Sequence, residues 1–505
     1  MQRFRADSFK SMSSRYFLLP LLVIFTVSQL VAQKHDYNWT IGYNTGNPIT
    51  SEFGGTVISF NDTPTVAIKT NQKLNFEYYS TACSDSSGSL LFYTNGISIH
   101  NYLHQLIENG DTINPGDYWD ITAQNGYGST IGPFALPYPG HPNQYVLFHT
   151  ATEYDVDSFY LRISPLYFSI VDMAANNGAG KVLAKNQVLV AGDLCWPTAC
   201  KHGNGRDWWI TVGKHRFPIQ YTFLLSPDGI SGPFEQTIGP VFNPDFNEFI
   251  SKSIFSPDGR IYIRHDGKSG PRIMDFDRCT GIFSNLRILP YPPEVYSWSA
   301  AFSQDSRFLY LSKPSMVWYI DMKANNLSTS FDTLGRYNWT YSPAPPWSTA
   351  ISELQEGADG KIYASTYTGS SRCMNRIERP LLPGLAADMN FGSFKLPRWY
   401  GLTMCHYPNY RLGENEGSPC DSLNAQQAGD GFIKTLYDAA GKSRVKPQND
   451  YTVLPMVPAT PSEEARAEKR LWGDHLKVAL EERLRREHSE GGEKPVKHDL
   501  KPDRQ

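Results

Sequence analysis

Carboxylates and imidazoles spread along the first half of the 505-residue chain supply the groups that sugar chemistry needs: Asp85, Asp120, Glu153, Asp155, Asp193, His202, Asp207, His265 and Asp266. Breaking a glycosidic linkage takes an acid paired with a base or a nucleophile, held at either side of one bond. No local motif here fixes two such roles. The chain has no Gly-x-Ser-x-Gly nucleophile elbow, no phosphate-cradling glycine loop and no His-Glu-x-x-His zinc pair. Ser256-Pro257-Asp258-Gly259 departs from the Ser-x-Asp-x-Gly-x-x-Trp box of sialidases, because its glycine comes one residue early. An aspartate in an Asp-Gly turn, as Asp258 and Asp266 are, more often forms the turn than moves a proton.

Three aromatic loops offer a different chemistry. Tyr118-Trp119, Cys195-Trp196-Pro197 and Pro345-Pro346-Trp347 suit stacking on a sugar or anchoring a protein partner, so Trp119, Trp196 and Trp347 are the ligand-binding candidates. Packing inside the fold is the plainer role for each ring. The twelve His are scattered and the seven Cys contain no Cys-x-x-Cys pair, so neither a metal nor a cofactor is expected. Cys195 with Cys200, and Cys405 with Cys420, are the candidate disulfides.

The elements that would position these groups recur. Phe255 leads into the turn Ser256-Pro257-Asp258-Gly259, a short alternating strand, a second turn at 266–270, and the strand Arg272 to Asp277. Related units centre on Gly88, Asn143, Arg206, Ser306 and Gly360, about 54 residues apart on average. Two strands cannot bury a face alone, so such a unit needs copies to stack against. The expected fold is an all-β propeller over 34–420, with seven blades or alternatively six. The seventh would be assembled from both ends, a strand within Asn38 to Ser59 pairing with one near Tyr400 to Arg411; closing the ring removes exposed sheet edges. In Trp208-Trp209 the alternation sends the rings to opposite faces, so one is expected in the core.

Residues 1–33 read as a secretory signal peptide, with Arg3, Arg5, Lys10 and Arg15 ahead of an apolar run that ends before Ala32. That run contains Pro20 and Gln29 and is short for a membrane span, so a secreted or cell-surface chain, or a periplasmic one, is expected. Residues 421–460 read as a linker. Thr460-Pro461-Ser462-Glu463 then forms a capping box for a charged helix over 461–488, a candidate surface for a partner or self-association, ahead of a disordered tail at 489–505. A net charge of −3, from 47 basic and 50 acidic residues, gives no field that would attract nucleic acid. Asn38, Asn61, Asn326 and Asn338 head N-glycosylation sequons, which matter only in a host that glycosylates.

The run from Asn75 to Gly96, Ala199-Cys200-Lys201-His202-Gly203-Asn204-Gly205-Arg206-Asp207-Trp208-Trp209, and Tyr407-Pro408-Asn409-Tyr410-Arg411-Leu412 resemble secreted propeller proteins of the Bacteroidota. The Ser-Pro-Asp-Gly unit is similar to the repeat of the periplasmic Tol-system propeller. The resemblance implies a secreted propeller and little about activity. Many such proteins end in a type IX secretion sorting domain of β-sandwich type. Here Lys434 to Lys442 echoes one strand and turn of that domain, and the charged helix replaces its later strands.

Two functions follow as expectations. The first is a non-catalytic binding or assembly module for a glycan, peptide or cell-envelope partner on one ring face. The alternative is an extracellular carbohydrase or lyase. Carboxylates or His from three or more blades within hydrogen-bond reach in the central funnel would favour the enzyme, and neutral or aromatic lining would favour binding.

Overall fold

A computed structural model describes residues 33–45, 52–76, 78–128, 132–155, 160–242, 252–265, 267–292, 295–338, 341–342, 348–367, 371–402, 404–421 and 450–458. The signal segment, the charged helix, the tail, Asp266 and Trp347 lie outside the described residues. Among the described residues no helix is long and apolar enough to cross a membrane.

Seven sheets form a propeller. The first holds Asn38–Gly42, Gly55–Ser59 and Val66–Thr70. The second holds Tyr79–Ser84, Leu90–Thr94 and Ile99–Asn101. The third runs Phe134–Pro137, Gln144–Asp155, Tyr160–Asp172 and Lys181–Val190. The fourth runs Thr198–Lys201, Trp208–Gly213, Ile219–Ser226 and Gly229–Thr237. The fifth runs Ile254–Phe255, Ile261–Arg264, Arg272–Asp277 and Ile282–Ile288. The sixth runs Ser299–Phe302, Phe308–Lys313, Met316–Asp321 and Asp332–Arg336. The seventh runs Ile351–Glu356, Ile362–Thr366, Ser371–Ile377 and Met389–Tyr400. Within each sheet consecutive strands pair antiparallel, as short hairpin turns dictate.

The core lies between sheets, and each neighbouring pair has its own apolar cluster. Phe148 and Trp208 share one at the third–fourth boundary, Trp209 and Phe283 another at the fourth–fifth, and Leu311 joins Ile273 at the fifth–sixth. Leu334 with Ile362, Trp39 with Tyr363, Phe76 with Tyr93, and Phe92 with Leu147 complete the circuit. This corrects the expectation for Trp208 and Trp209. Both are core, because a propeller sheet packs a neighbour on each face and opposite faces are equally buried.

The repeat marker is a left-handed residue in the turn of the unit: Gly88, Asn143, Gly259, Ser306 and Gly360 all have φ between 61° and 96°. In the fourth sheet Gly205, one residue before Arg206, takes that place. Ser306 adopts the strained conformation without glycine, and its hydroxyl accepts a hydrogen bond from the Asp258 backbone N–H at 3.0 Å in the neighbouring unit.

The ring closes differently from the expected pairing. Asn38–Gly42 pairs antiparallel with Gly55–Ser59, its neighbour in sequence, and stands at the edge of its sheet with no strand from 400–411 in its ladder. Met404–Cys405 instead joins the second sheet, parallel to Tyr79 and Ser80. The two ends of the propeller still meet, through side chains. The Tyr407 hydroxyl donates to the Asn38 carbonyl at 3.1 Å, and Arg411 grips Asp36.

The disulfide expectations are also corrected. Cys420 pairs with Cys279, 5.6 Å away between Cα atoms, while Cys195, Cys200 and Cys405 are buried thiols outside any disulfide. Cys200 lies inside an extended strand and Cys195 ahead of it, so the chain carries the two apart instead of turning them together. Cys405 is held in the closing strand, its sulfur 3.4 Å from the Ser80 hydroxyl, with fifteen residues still to run to Cys420.

Candidate functional site: the central channel

Beyond Cys405 the chain leaves the second sheet and passes down the middle of the ring. Asn409 Nδ2 donates to the Pro257 carbonyl at 2.7 Å in the fifth sheet, Tyr410 Oη to Ala135 O at 2.6 Å in the third, and Lys201 Nζ of the fourth to Tyr410 O at 3.0 Å. Segment 406–412 therefore touches inner strands on several sides. It leaves a cavity of about 80 Å³ lined by 196–201, 252–257, 300–302, 355–356, 406–409 and 411–412, with Asp36 and Phe134. That is space for a few ordered waters or one polar group of a ligand.

At the end of the channel where the inner strands begin, three ionisable side chains converge from three sheets. Lys252 precedes the fifth sheet's inner strand, Glu353 lies within the seventh's, and His406 follows the closing strand of the second. His406 Nε2 is 2.9 Å from Glu353 Oε2, at an angle that makes no hydrogen bond. Lys252 Nζ donates to Leu354 O and to Gln355 Oε1, each at 2.8 Å. Burial pushes the Lys252 amine down to about 8, against the pull of Glu353, and holds His406 below its ordinary value. The edge of Trp196 packs on the imidazole at a ring separation of 4.6 Å. On another side a Cβ at Gly132 would lie 1.7 Å from the ring, so only glycine fits there.

At the opposite end the charges are paired. Arg411 Nη1 and Nη2 donate to the two Asp36 oxygens at 2.7 and 2.9 Å. Glu356 faces the same pair, and burial pushes its carboxyl up to about 7, with Arg411 opposing the shift. Burial likewise lowers Lys201 to about 7.

Of the described acid–base candidates none lines the cavity, and His202 and Asp207 share one turn, where Asn204 contacts both. Asp85 accepts hydrogen bonds from the Ser87 and Ser89 N–H groups of its own turn. Asp120 is exposed on the short helix Asp117–Thr122, and Glu153 is 3.6 Å from Arg162 at the surface. Asp193 meets His215 at 2.9 Å, Asp207 binds Arg206 and Asn204, His202 contacts the Cys279 carbonyl at 3.2 Å, and His265 the Ser297 hydroxyl at 2.6 Å. The Asp155 side chain and Asp266 lie outside the described residues.

Two of the three tryptophans pack within the fold. Trp196 is 2% exposed within the third–fourth core, and it also lines the cavity, with its edge on His406. Trp119 packs on Tyr79, Ile97 and Tyr127, and its indole N–H donates to Ile97 O at 3.4 Å.

Sequence reasoning missed Lys252, Glu353 and His406, which have no motif. The one signal was local: Glu353 places a charge inside Ile351–Glu356, a strand that is otherwise mostly buried. A register shift between Ile351 and Leu354 accommodates it.

No known protein family matches the chain, and no curated protein does. Solved structures with a similar course include a protein from Lactobacillus plantarum, 12% identical over 73% of this chain and 98% of its own, with a TM-score of 0.41. A putative 6-phosphogluconolactonase from Bacteroides fragilis is 12% identical over 73% of this chain and 97% of its own, at 0.37. The periplasmic gluconolactonase of Pseudomonas aeruginosa is 13% identical over 72% and 99%, at 0.36. At these values the likeness carries no argument about activity. The chain is a seven-sheet propeller by its own strand order.

Proposed function

We propose that the chain is an exported propeller that binds an extracellular glycan at the channel mouth formed by Lys252, Glu353 and His406, without turning it over. The observation that carries this is the convergence of three ionisable groups from three sheets, Lys252 and His406 buried and Glu353 partly so, with Glu353 Oε2 2.9 Å from His406 Nε2 and the buried His406 Nδ1 lacking a hydrogen bond. Buried polar atoms left unpaired cost free energy, and folds tolerate that cost where a ligand supplies the partner. Ligand hydroxyls, which donate and accept, match this set. Beyond Asp36, Lys201, Glu356 and Arg411 the rest of the lining is neutral, as a binding cleft allows. The Cys279–Cys420 disulfide supports export, since such bonds persist in oxidising compartments.

One observation favours the enzymatic alternative. An imidazole 2.9 Å from a carboxylate, beside a lysine, can act as a general base. A glycan array followed by product analysis of each hit separates the two. Binding with intact ligand supports the module, and turnover assigns a carbohydrase or lyase; no hit on any glycan would overturn the proposal.

A further inference from the structure

The fifth sheet carries one strand more than the repeat requires. After residues 422–449 the chain returns at Thr452–Val453 and pairs parallel with Arg287 and Ile288, on the outer edge of a sheet that already has its four strands. The next residues settle between this sheet and the sixth. The Leu454 N–H donates to Ile288 O at 2.8 Å, the Val457 N–H to Pro290 O at 3.1 Å, and the Ser328 hydroxyl to Pro455 O at 2.5 Å. Val457 is 3% exposed among Leu289, Tyr291, Leu327 and Phe331, and Leu454 is half-buried against the same cluster. Val453 before them and Met456 between them point outward, 57% and 59% exposed.

This is recognition by strand addition: main-chain bonds hold an extended segment, and pockets take selected side chains. The rest of the cluster that receives Leu454 and Val457 comes from the fifth and sixth sheets and their connections. Only two residue pairs join the ladder, in the weaker parallel arrangement, and two side chains are anchored. A segment held so lightly stays in place because it is tethered, at an effective concentration on the order of millimolar.

We propose that this groove is a peptide-binding site, which residues 452–457 fill in the free protein. It accepts an extended segment of another protein with aliphatic residues three apart around a proline, as in Leu454-Pro455-Met456-Val457. Binding of that partner displaces residues 452–457 from the sheet edge and frees the chain that follows them.

The test uses a fluorescein-labelled peptide of residues 450–458 and the full-length chain carrying Leu454→Asp and Val457→Asp. The substitutions empty the groove, so the peptide should bind this variant about tenfold or more tighter than wild type, whose groove is free in only a small fraction of molecules. A scrambled peptide should not bind. Equal binding to both chains, or none to a variant that melts like wild type, would overturn the proposal. Should the double variant fail to fold, a protease site placed within 430–440 of the wild-type sequence gives the same answer. Cleavage cuts the tether, so the fragment containing 450–458 should leave the ring on gel filtration in excess peptide, and the emptied ring should bind the labelled peptide. A fragment that stays with the ring in excess peptide, or a ring that has lost the fragment and binds no peptide, contradicts the proposal.

Discussion

Arg411 holds Asp36 through two charge-assisted hydrogen bonds across 375 residues of sequence, joining the two ends of the propeller in its central channel. Asp36 is 3% exposed, so its carboxylate is buried against that partner. Asp36→Asn leaves the guanidinium without its carboxylate and should destabilise the protein by about 2 to 3 kcal/mol. Urea unfolding of the variant measures it, and a loss under about 0.5 kcal/mol would mean the latch is only a surface ion pair.

The Cys279–Cys420 bond fastens the far end of the threaded segment, 141 residues from its partner. Reduction, or the Cys279→Ser/Cys420→Ser double variant, should cost about 2 to 5 kcal/mol, as expected for a long closed loop. Thermal melts with and without reductant check this. The double variant should show no further response to reductant, since the remaining described cysteines are buried thiols outside any disulfide.

Gly259 sits at φ +71°, and a Cβ there would lie 2.7 Å from Cys200 Sγ and 2.8 Å from Arg278 Cδ. Gly259→Val combines that crowding with a strained backbone and should cost about 1 to 2 kcal/mol or more. An unchanged melting curve would show that the turn is drawn wrongly.

Lys252 gives a pH signature. Its amine titrates near 8 when folded and near 10.5 when unfolded, so between those values the unfolded chain carries the extra proton. Stability contributed by this group therefore rises with pH from about 8 to 10.5 and is flat on either side. Lys252→Met should remove that rise, and the variant should be at least as stable as wild type near pH 7, where the buried charge is costly. Denaturation midpoints from pH 7 to 10.5 report it.

How much of this was legible in the sequence follows from how local each signal is. The turn of the repeat could be read because Asp-Gly and Asn-Gly pairs mark left-handed residues within a few positions, and the strand Arg272 to Asp277 falls as expected. Ring closure was half legible: the ends meet, but no local pattern tells whether Met404–Cys405 joins the first sheet or the second. Cys279 as the partner of Cys420 depends on where a threaded segment emerges, which no spacing encodes. The channel site is the least legible. Lys252, Glu353 and His406 lie 101 and 53 residues apart, and only the ring's curvature makes them neighbours. Of the aromatic loops, Trp196 takes the plainer of its two roles and fills a boundary between sheets.

The central claim is that ligand binds where Lys252, Glu353 and His406 converge. Calorimetric titration of the strongest array ligand into wild-type, Lys252→Met and His406→Ala chains tests it most directly. Loss of hydrogen bonds to charged or buried groups predicts affinity weaker by about tenfold or more in each variant, at unchanged melting behaviour. Equal affinity in all three chains would contradict the account and move the site away from the channel.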